Sequence, residues 1–335
     1  MELVAAIAMA LGFTLTNGFH DASNAIAILV ATRVARPAQA VIMASFFNLL
    51  GPLLVGAAVA DTIAGIVILP ASESIAVLGA ALTGATAWNL ITWRLGLPSS
   101  SGHALGGGLT GAAVVVGGLD AVNWGGLDGW RPVGVFGVLI ALAVSPVLGV
   151  VVGDVGDRVS RRLVRRATRR AESVVRGGTW VSSATLAFSH GANDAQKAIG
   201  VIVALLVADG RLSSLTAPLW VKVACGATLT LGTALGGWPI VRTVGQRIFR
   251  MHPLDGLVAQ GSSTAVILGS SLVGAPVSTT QVVSSSVVGI GLGRRRIRHI
   301  HWRIVREMLT AWLFTLPASA LAAILVLPIW LWLTP

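Results

Sequence analysis

Charge is scarce in this chain. Only 11% of its 335 residues are Asp, Glu, Lys or Arg, against about 25% in soluble domains. With 54% hydrophobic residues and a mean hydropathy of +0.82, that scarcity excludes a water-soluble globular fold. Short alternating segments are missing as well, which excludes a membrane barrel. The apolar stretches instead run for roughly 15–25 residues, the length of a membrane helix. Cysteine is nearly absent. Cys225 stands alone, so no internal disulfide forms. Lysine is almost missing too: Lys197 and Lys222 are the only two. Arginine therefore carries the basic loops, and Lys197, inside an apolar stretch, is singular. The N-terminus lacks a basic leader and a small-residue cleavage site, so it reads as a first span and not a signal peptide. The net charge of +11 does not point to nucleic acid, because the Arg residues lie between apolar spans.

What is present is an ordered set of spans with polar interruptions. The stretch from Leu3 to Ala31 is too long for one clean crossing and is expected to break at Asn17–Asp21. Arg33, Arg36 and Pro37 mark an interface, and a second span follows from Ala38 to Ala60. The run Ile63–Leu69 reads as a partial helix. Two apolar arms between Ser74 and Val116 meet at Leu97–His103. A Gly-rich loop, Gly117–Arg131, leads to a span from Pro132 to Gly153. Arg158, Arg161, Arg162, Arg165, Arg166, Arg169 and Arg170 then fall on one face of a predicted helix, with Arg176 beyond. Broken span Trp180–Ala208, span Leu215–Gly237 and arms Gly256–Val273 and Val277–Gly291 repeat the order. A last span ends near Trp332. Trp124, Trp130, Trp180, Trp302, Trp330 and Trp332 fall near expected interfaces.

The positive-inside rule orients these spans. The Arg-rich linker and the Arg294–Arg306 cluster are placed in the cytoplasm, both termini outside. Each half then has an odd number of crossings, so like-ordered halves are inverted. The expected fold is an all-α integral membrane protein. It is an inverted-topology repeat of two five-segment halves, with about 10–12 membrane segments including broken helices and re-entrant hairpins. The expected division is residues 1–153, an Arg-rich linker 154–178, and residues 179–335, in a multi-pass protein of the plasma (inner) membrane.

Two alignments carry the repeat. Matching Asp21 with Asp194 pairs Asn17 with His190, His20 with Asn193, and Asn24 with Lys197. Matching Pro98 with Pro276 pairs Ser100 with Ser278, Ser101 with Thr279, and His103 with Gln281. An Asn, an Asp and a Lys do not suit one lipid-exposed helix, where each charged side chain would cost about 2.5–3.5 kcal/mol at mid-membrane, so they point inward to a site. Asp with Asn three residues on offers oxygens to a hard cation, and Asp21 and Asp194 are candidate sodium ligands. His20, Asn24, Asn193 and Lys197 complete the expected cation-coupling set. The Pro-Ser elements act oppositely: Ser and Thr cap a helix whose N-terminus attracts anions. Ser99, Ser100, Ser101, Ser278, Thr279 and Thr280 are the expected oxyanion ligands. Asn17, Ser23, His103, His190, Gln196, Gln281 and Arg94 are expected in support. If the arms are re-entrant, Arg94 lies deep and reaches the anion; if they are full spans, it marks the cytoplasmic boundary. Lys197 is expected to stand where a second cation would sit. With three His at the polar positions, titrating near neutral pH, this favours protons over sodium.

At GFHDASNAIA, FSHGANDAQKAIG, LPSSSGHALGGG and APVSTTQVVSSS the chain resembles the inorganic phosphate transporter (Pit) family, in its short form. The resemblance implies a symporter that carries inorganic phosphate, free or complexed with a metal. It implies a homodimer in the lipid bilayer and no cofactor beyond a coupling proton or sodium ion. His20 and Lys197 depart from the family's more symmetrical members, which puts a two-sodium site in doubt. The alternatives are a sulfate permease of the same fold, an anion channel, and an intramembrane hydrolase using Ser101, His103 and Asp21.

Overall fold

The structure, a computed structural model, describes residues 2–129, 131–166, 171–294 and 297–334. Trp130, Arg169, Arg170, Arg295 and Arg296 of the readings above lie outside these residues. The described chain is helical almost throughout, as lipid demands of a backbone that must satisfy its own hydrogen bonds. The first half contains α1 (Glu2–Asp21), α2 (Ser23–Ala31), α3 (Pro37–Leu54), α4 (Ala58–Ala64), α5 (Ala71–Leu95), α6 (Ser101–Gly117) and α7 (Gly134–Leu163). The second contains α8 (Ala171–Ala208), α9 (Leu219–Leu235), α10 (Trp238–Arg242), α11 (Pro253–Leu272), α12 (Thr279–Gly293) and α13 (Trp302–Leu333). A short hairpin, Gly126–Asp128 with Arg131–Val133, precedes α7. Six helices are long and apolar enough to cross a membrane, and a seventh span results if Leu219–Leu235 and Trp238–Gly245, bent by 63°, are counted together.

The expected helix breaks at the two Asp motifs are corrected. α8 is one unbroken helix of 38 residues through His190–Lys197. α1 and α2 are separated only at Ala22, which keeps helical angles and the bonds to Gly18 and from Ile26. Neither motif contains a Pro, and burial against other helices outweighs the modest helix propensity of Asn, Asp and Gly. The breaks fall instead in the neighbouring helices, at 55–57 between α3 and α4 and at 236–237 between α9 and α10. The partial helix expected over Ile63–Leu69 lies earlier, at α4; Ile66 and Ile68 bond backbone to Asn123 and Ala121. α7 runs past the expected end at Gly153 and carries Arg158, Arg161 and Arg162 on its last turns.

The halves interlock in matched pairs. Gly18 of α1 crosses Gly232 of α9, and Gly191 of α8 crosses Gly51 of α3. A Cβ on Gly18 would overlap the Leu229 carbonyl oxygen, and one on Gly191 that of Asn48. Such contacts let membrane helices pack backbone to backbone. Likewise α6 packs on α13 while α12 packs on α7. Each of these four pairs joins one half to the other.

Arms α5–α6 and α11–α12 are two hairpins with opposed bases. The first closes at Leu69 beside Gly117; the second closes where Arg294 pairs with Asp255. The path α1–α2 spans the distance between them: Leu3 shares a core with Ile75 of α5, and Thr32 lies against Gly256 of α11. The tips nevertheless meet at one carboxylate, Asp21, between these ends. The two hairpins therefore approach Asp21 from opposite ends of the α1–α2 path.

Candidate functional site

The polar site lies where α1–α2, α8 and the two hairpin tips converge. α1 presents Asp21, and both tips bind it: Ser101 Oγ donates to Oδ2 at 3.2 Å and Thr280 Oγ1 to Oδ1 at 2.5 Å. His20 Nδ1 lies 3.1 Å from the same Oδ1. Its Nε2 faces Thr92 at 3.1 Å and Ser99 at 3.2 Å. One turn on, Asn24 Nδ2 donates to Thr279 and Thr280 hydroxyls at 3.2 and 3.1 Å.

α8 builds the second lobe. Asp194 accepts the Thr279 hydroxyl at 2.8 Å and pairs with Lys197, one turn along the same helix. His190 Nε2 is 2.9 Å from Asp194 Oδ2, at ion-pair distance but off the line of a hydrogen bond. Its Nδ1 meets Asn48 Oδ1 at 3.0 Å. Lys197 also reaches the Val277 carbonyl at 3.3 Å. Lys197 is 1% exposed and Asp194 fully buried. A buried pair of this kind loses several kcal/mol per ion in desolvation, recovered only if every partner is in place.

Ser100 and Ser278 cap α6 and α12, accepting from the His103 and Gln281 N–H groups at 3.2 and 3.3 Å. Their hydroxyls therefore order the tips. Those of Ser101, Thr279 and Thr280 face the carboxylates. Gln196 accepts from Val59 and Ala60 N–H groups at 2.9 and 3.3 Å, which caps the broken helix α4. Asn193 Nδ2 donates to Ser271 at 3.0 Å. Asn17, Ser23 and His103 are buried. Arg94 is exposed on the outer surface of α5, apart from this group; Thr92 is the residue of that turn facing His20.

Each tip is latched in the same way. Gly96 and Gly274 adopt positive φ, 67° and 76°, where a side chain would strain the turn. The Gly96 carbonyl accepts from Thr243 at 3.0 Å, and that of Gly274 from Thr62 at 2.9 Å. Thr243 follows α10, and Thr62 lies in α4, the broken-helix segment of the other half.

The donor set suits a hard cation. One ligand atom each from Asp21, His190 and Asp194 lies within 4.8 Å of the others. Asn24 Oδ1 and Asn193 Oδ1 are buried acceptors with no protein donor among the described residues. His190 extends the expected pair of carboxylates. Its cluster was not legible in sequence, because Asp21 and Asp194 approach only after the halves interlock. Asn48, Thr92, Ser271, Thr62 and Thr243 were missed too. Asn48, a lone amide in an apolar span, carried a signal; Thr92 and Ser271 stand shortly before the matched prolines.

Known proteins share this sequence and this fold. The sequence profile of the phosphate transporter family matches residues 17–168 and again 156–323. A Rhizobium meliloti (strain 1021) protein named "probable low-affinity inorganic phosphate transporter" is 39% identical over 325 residues, covering 96% of this chain and 95% of its own. One of the same name from Bacillus subtilis (strain 168) is 38% identical over 316 residues, covering 93% and 92%. A solved structure, "The sodium-dependent phosphate transporter", has the same fold, with a TM-score of 0.86, 23% identity and 98% coverage of each chain. With two profile copies spanning most of its length and relatives matching it end to end, the chain belongs to the phosphate transporter family.

Proposed function

We propose that the protein carries inorganic phosphate across the plasma membrane as a cation-coupled symporter working by alternating access, with protons favoured over sodium. The observation that carries this reading is the meeting of two hydroxyl-bearing hairpin tips, from opposite faces, on two buried carboxylates and one ammonium. Phosphate would replace the carboxylates as acceptor of the Ser101, Thr279 and Thr280 hydroxyls. Ser99 would contribute its hydroxyl, and Ser100 and Ser278 the order of the tips. Asp21 and Asp194 bring two negative charges and Lys197 one positive. A phosphate in the same dry site adds one or two negatives, so a cation must enter with it. Asp21, Asp194, Asn24, Asn193, His20 and Lys197 are the groups that would hold or replace that cation.

Each hairpin serves as a gate for the face it enters from. The proposed division is residues 1–153, linker 154–178, and residues 179–335. Both termini lie outside and the linker in the cytoplasm. The reading includes a homodimer as the assembly, and phosphate free or complexed with a metal as the cargo.

The test is uptake of radiolabelled phosphate into proteoliposomes under an imposed proton gradient or an imposed sodium gradient. Uptake driven by the proton gradient in sodium-free buffer supports the full reading. Uptake driven only by sodium overturns the proton assignment. Flux independent of both gradients overturns symport. Abolition of uptake by equimolar sulfate overturns the substrate assignment.

A further inference from the structure

α2 offers Asn24 to the central site at one end. At its other end it borders a separate cavity of about 600 Å³. Arg33, Arg250, His252 and His301 line this cavity. A second recess of about 430 Å³ shares the last three and adds Arg298 and His299. No carboxylate lines either recess among the described residues. Asp255, in the turn after His252, accepts the His252 backbone N–H at 2.9 Å and is paired with Arg294. These elements are pinned in place: Arg176 donates to the Arg33 carbonyl at 2.9 Å, and the His301 N–H to that of Ile248 at 3.1 Å.

The inverted repeat supplies an internal control. α8 ends with the same cap as α2. Gly210 N–H bonds to Val207 O, and Arg211 and Leu212 N–H groups to Leu206 O; Arg33, Val34 and Ala35 bond to Val30 and Leu29 in the same pattern. The central residue of each cap has positive φ, 73° at Gly210 and 56° at Arg33. Glycine is the residue suited to that conformation. The second half uses it, whereas the first holds Arg33 there despite the strain. The cavity beside the α8 cap, about 470 Å³, is aliphatic, lined by Ala64, Ile68, Leu69 and Leu215 among others. Matched positions on opposite faces therefore have opposite chemistry. A general excess of Arg in loops on one face sets topology. It does not explain a strained Arg facing a concave surface with a second Arg and two imidazoles.

We propose that this cavity is a second oxyanion site, on the Arg-rich face, which takes a phosphate group from free inorganic phosphate or from a phospholipid headgroup. It is separate from the central site and does not depend on the coupling ion. Guanidinium groups match phosphate geometry with paired donors, and the breadth of the cavity leaves room for an ester substituent.

The test is equilibrium binding of radiolabelled inorganic phosphate to the purified full chain, in detergent and in nanodiscs of phosphatidylcholine with or without phosphatidylglycerol. Arg33→Gly combined with Arg250→Gln is compared with the central variant Thr280→Val and the linker variant Arg165→Gln. In detergent, the double variant is expected to lose one class of binding by at least tenfold, while Thr280→Val retains that class. Arg33→Gly also removes the backbone strain, so its thermal stability should hold or rise while binding falls, which separates lost contact from lost fold. Suppression of that class by phosphatidylglycerol identifies the headgroup as occupant; its persistence identifies free phosphate. Binding by the double variant equal to wild type in every medium overturns the proposal. An equal loss in Arg165→Gln overturns it too, since surface charge alone would then suffice.

Discussion

Replacing Lys197 with Asn gives the second half the residue that the first half carries at Asn24. Lys197 is 1% exposed, pairs with Asp194 and reaches the Val277 carbonyl. Its removal leaves a fully buried carboxylate with only the Thr279 hydroxyl at 2.8 Å and the His190 imidazole at 2.9 Å. Breaking a buried pair on one side costs about 3–5 kcal/mol. On unfolding entropies typical of folded chains, that corresponds to a fall of about 6 °C in Tm for 335 residues. If the ammonium stands in for a metal ion, the loss should be reversible. The shorter amide side chain would leave an oxygen-lined position, and sodium at a hundred times its dissociation constant would return about 2.7 kcal/mol. The assay is thermal unfolding of Lys197→Asn and wild type, followed by tryptophan fluorescence, in sodium chloride and in choline chloride. Sodium should raise the Tm of the variant and leave wild type unchanged. Adding Asp194→Asn to the variant should restore stability in both salts. A variant that melts with wild type, or whose Tm is the same in both salts, would refute the reasoning.

Three further outcomes follow from local geometry. Gly191→Ala sets a Cβ onto the Asn48 carbonyl, where backbone must move; the monodisperse yield should collapse, whereas Gly12→Ala, with open space around it, should lose nothing. Arg94→Gln alters an exposed residue, so phosphate uptake should stay within about twofold of wild type, a change under 0.5 kcal/mol. Thr280→Val removes the donor to Asp21 and an acceptor of Asn24. A bond to a charged group contributes about 1.5–3 kcal/mol, so KM for phosphate should rise at least tenfold, with Thr280→Ser restoring most of it.

The architecture was legible because the two halves each spell one copy of a similar polar sequence. Asp21 against Asp194, and Pro98 against Pro276, give the order of elements, and odd crossings give the inversion. The hairpin tips were legible because Pro-Ser-Ser has few roles in an apolar chain besides ending one helix and capping the next. The breaks were misplaced for a physical reason. Polar residues weaken a helix in water, but α8 is buried over most of its polar stretch and keeps its backbone bonds through His190–Lys197. The segments Val55-Gly56-Ala57 and Gly236-Gly237 break instead, and nothing polar marks them in sequence. Arg94 was offered two positions, at the boundary or deep beside the anion, because a helix near a site has two faces, and it lies on the exposed one. Spacing from Pro98 places it at the right depth, yet Thr92 occupies the inward side. The cluster of Asp21, His190 and Asp194 needs two helices from different halves, a relation no local motif encodes.

The matched latches turn that pseudo-symmetry into a test of gating. Thr243 holds the Gly96 carbonyl at the first tip, and Thr62 holds the Gly274 carbonyl at the second. The first tip carries a further tie, from Trp312 Nε1 to the Pro98 carbonyl at 2.7 Å. Each Thr bond contributes about 1 kcal/mol net, enough to change the ratio of two conformers about fivefold. Thr243→Val loosens the first hairpin alone, and Thr62→Val the second alone. On the proposed mechanism, in which each hairpin gates a different face, the two substitutions should shift access to the site in opposite senses. A cysteine placed at Ser100, with buried Cys225 replaced by Ser, reports this through labelling by an impermeant maleimide from each side of sealed vesicles. The shift should be smaller for Thr243→Val, whose hairpin keeps the Trp312 tie, and Trp312→Phe added to it should close that difference. Shifts toward the same face, or equal labelling in all variants, would show that the two hairpins are not independent gates.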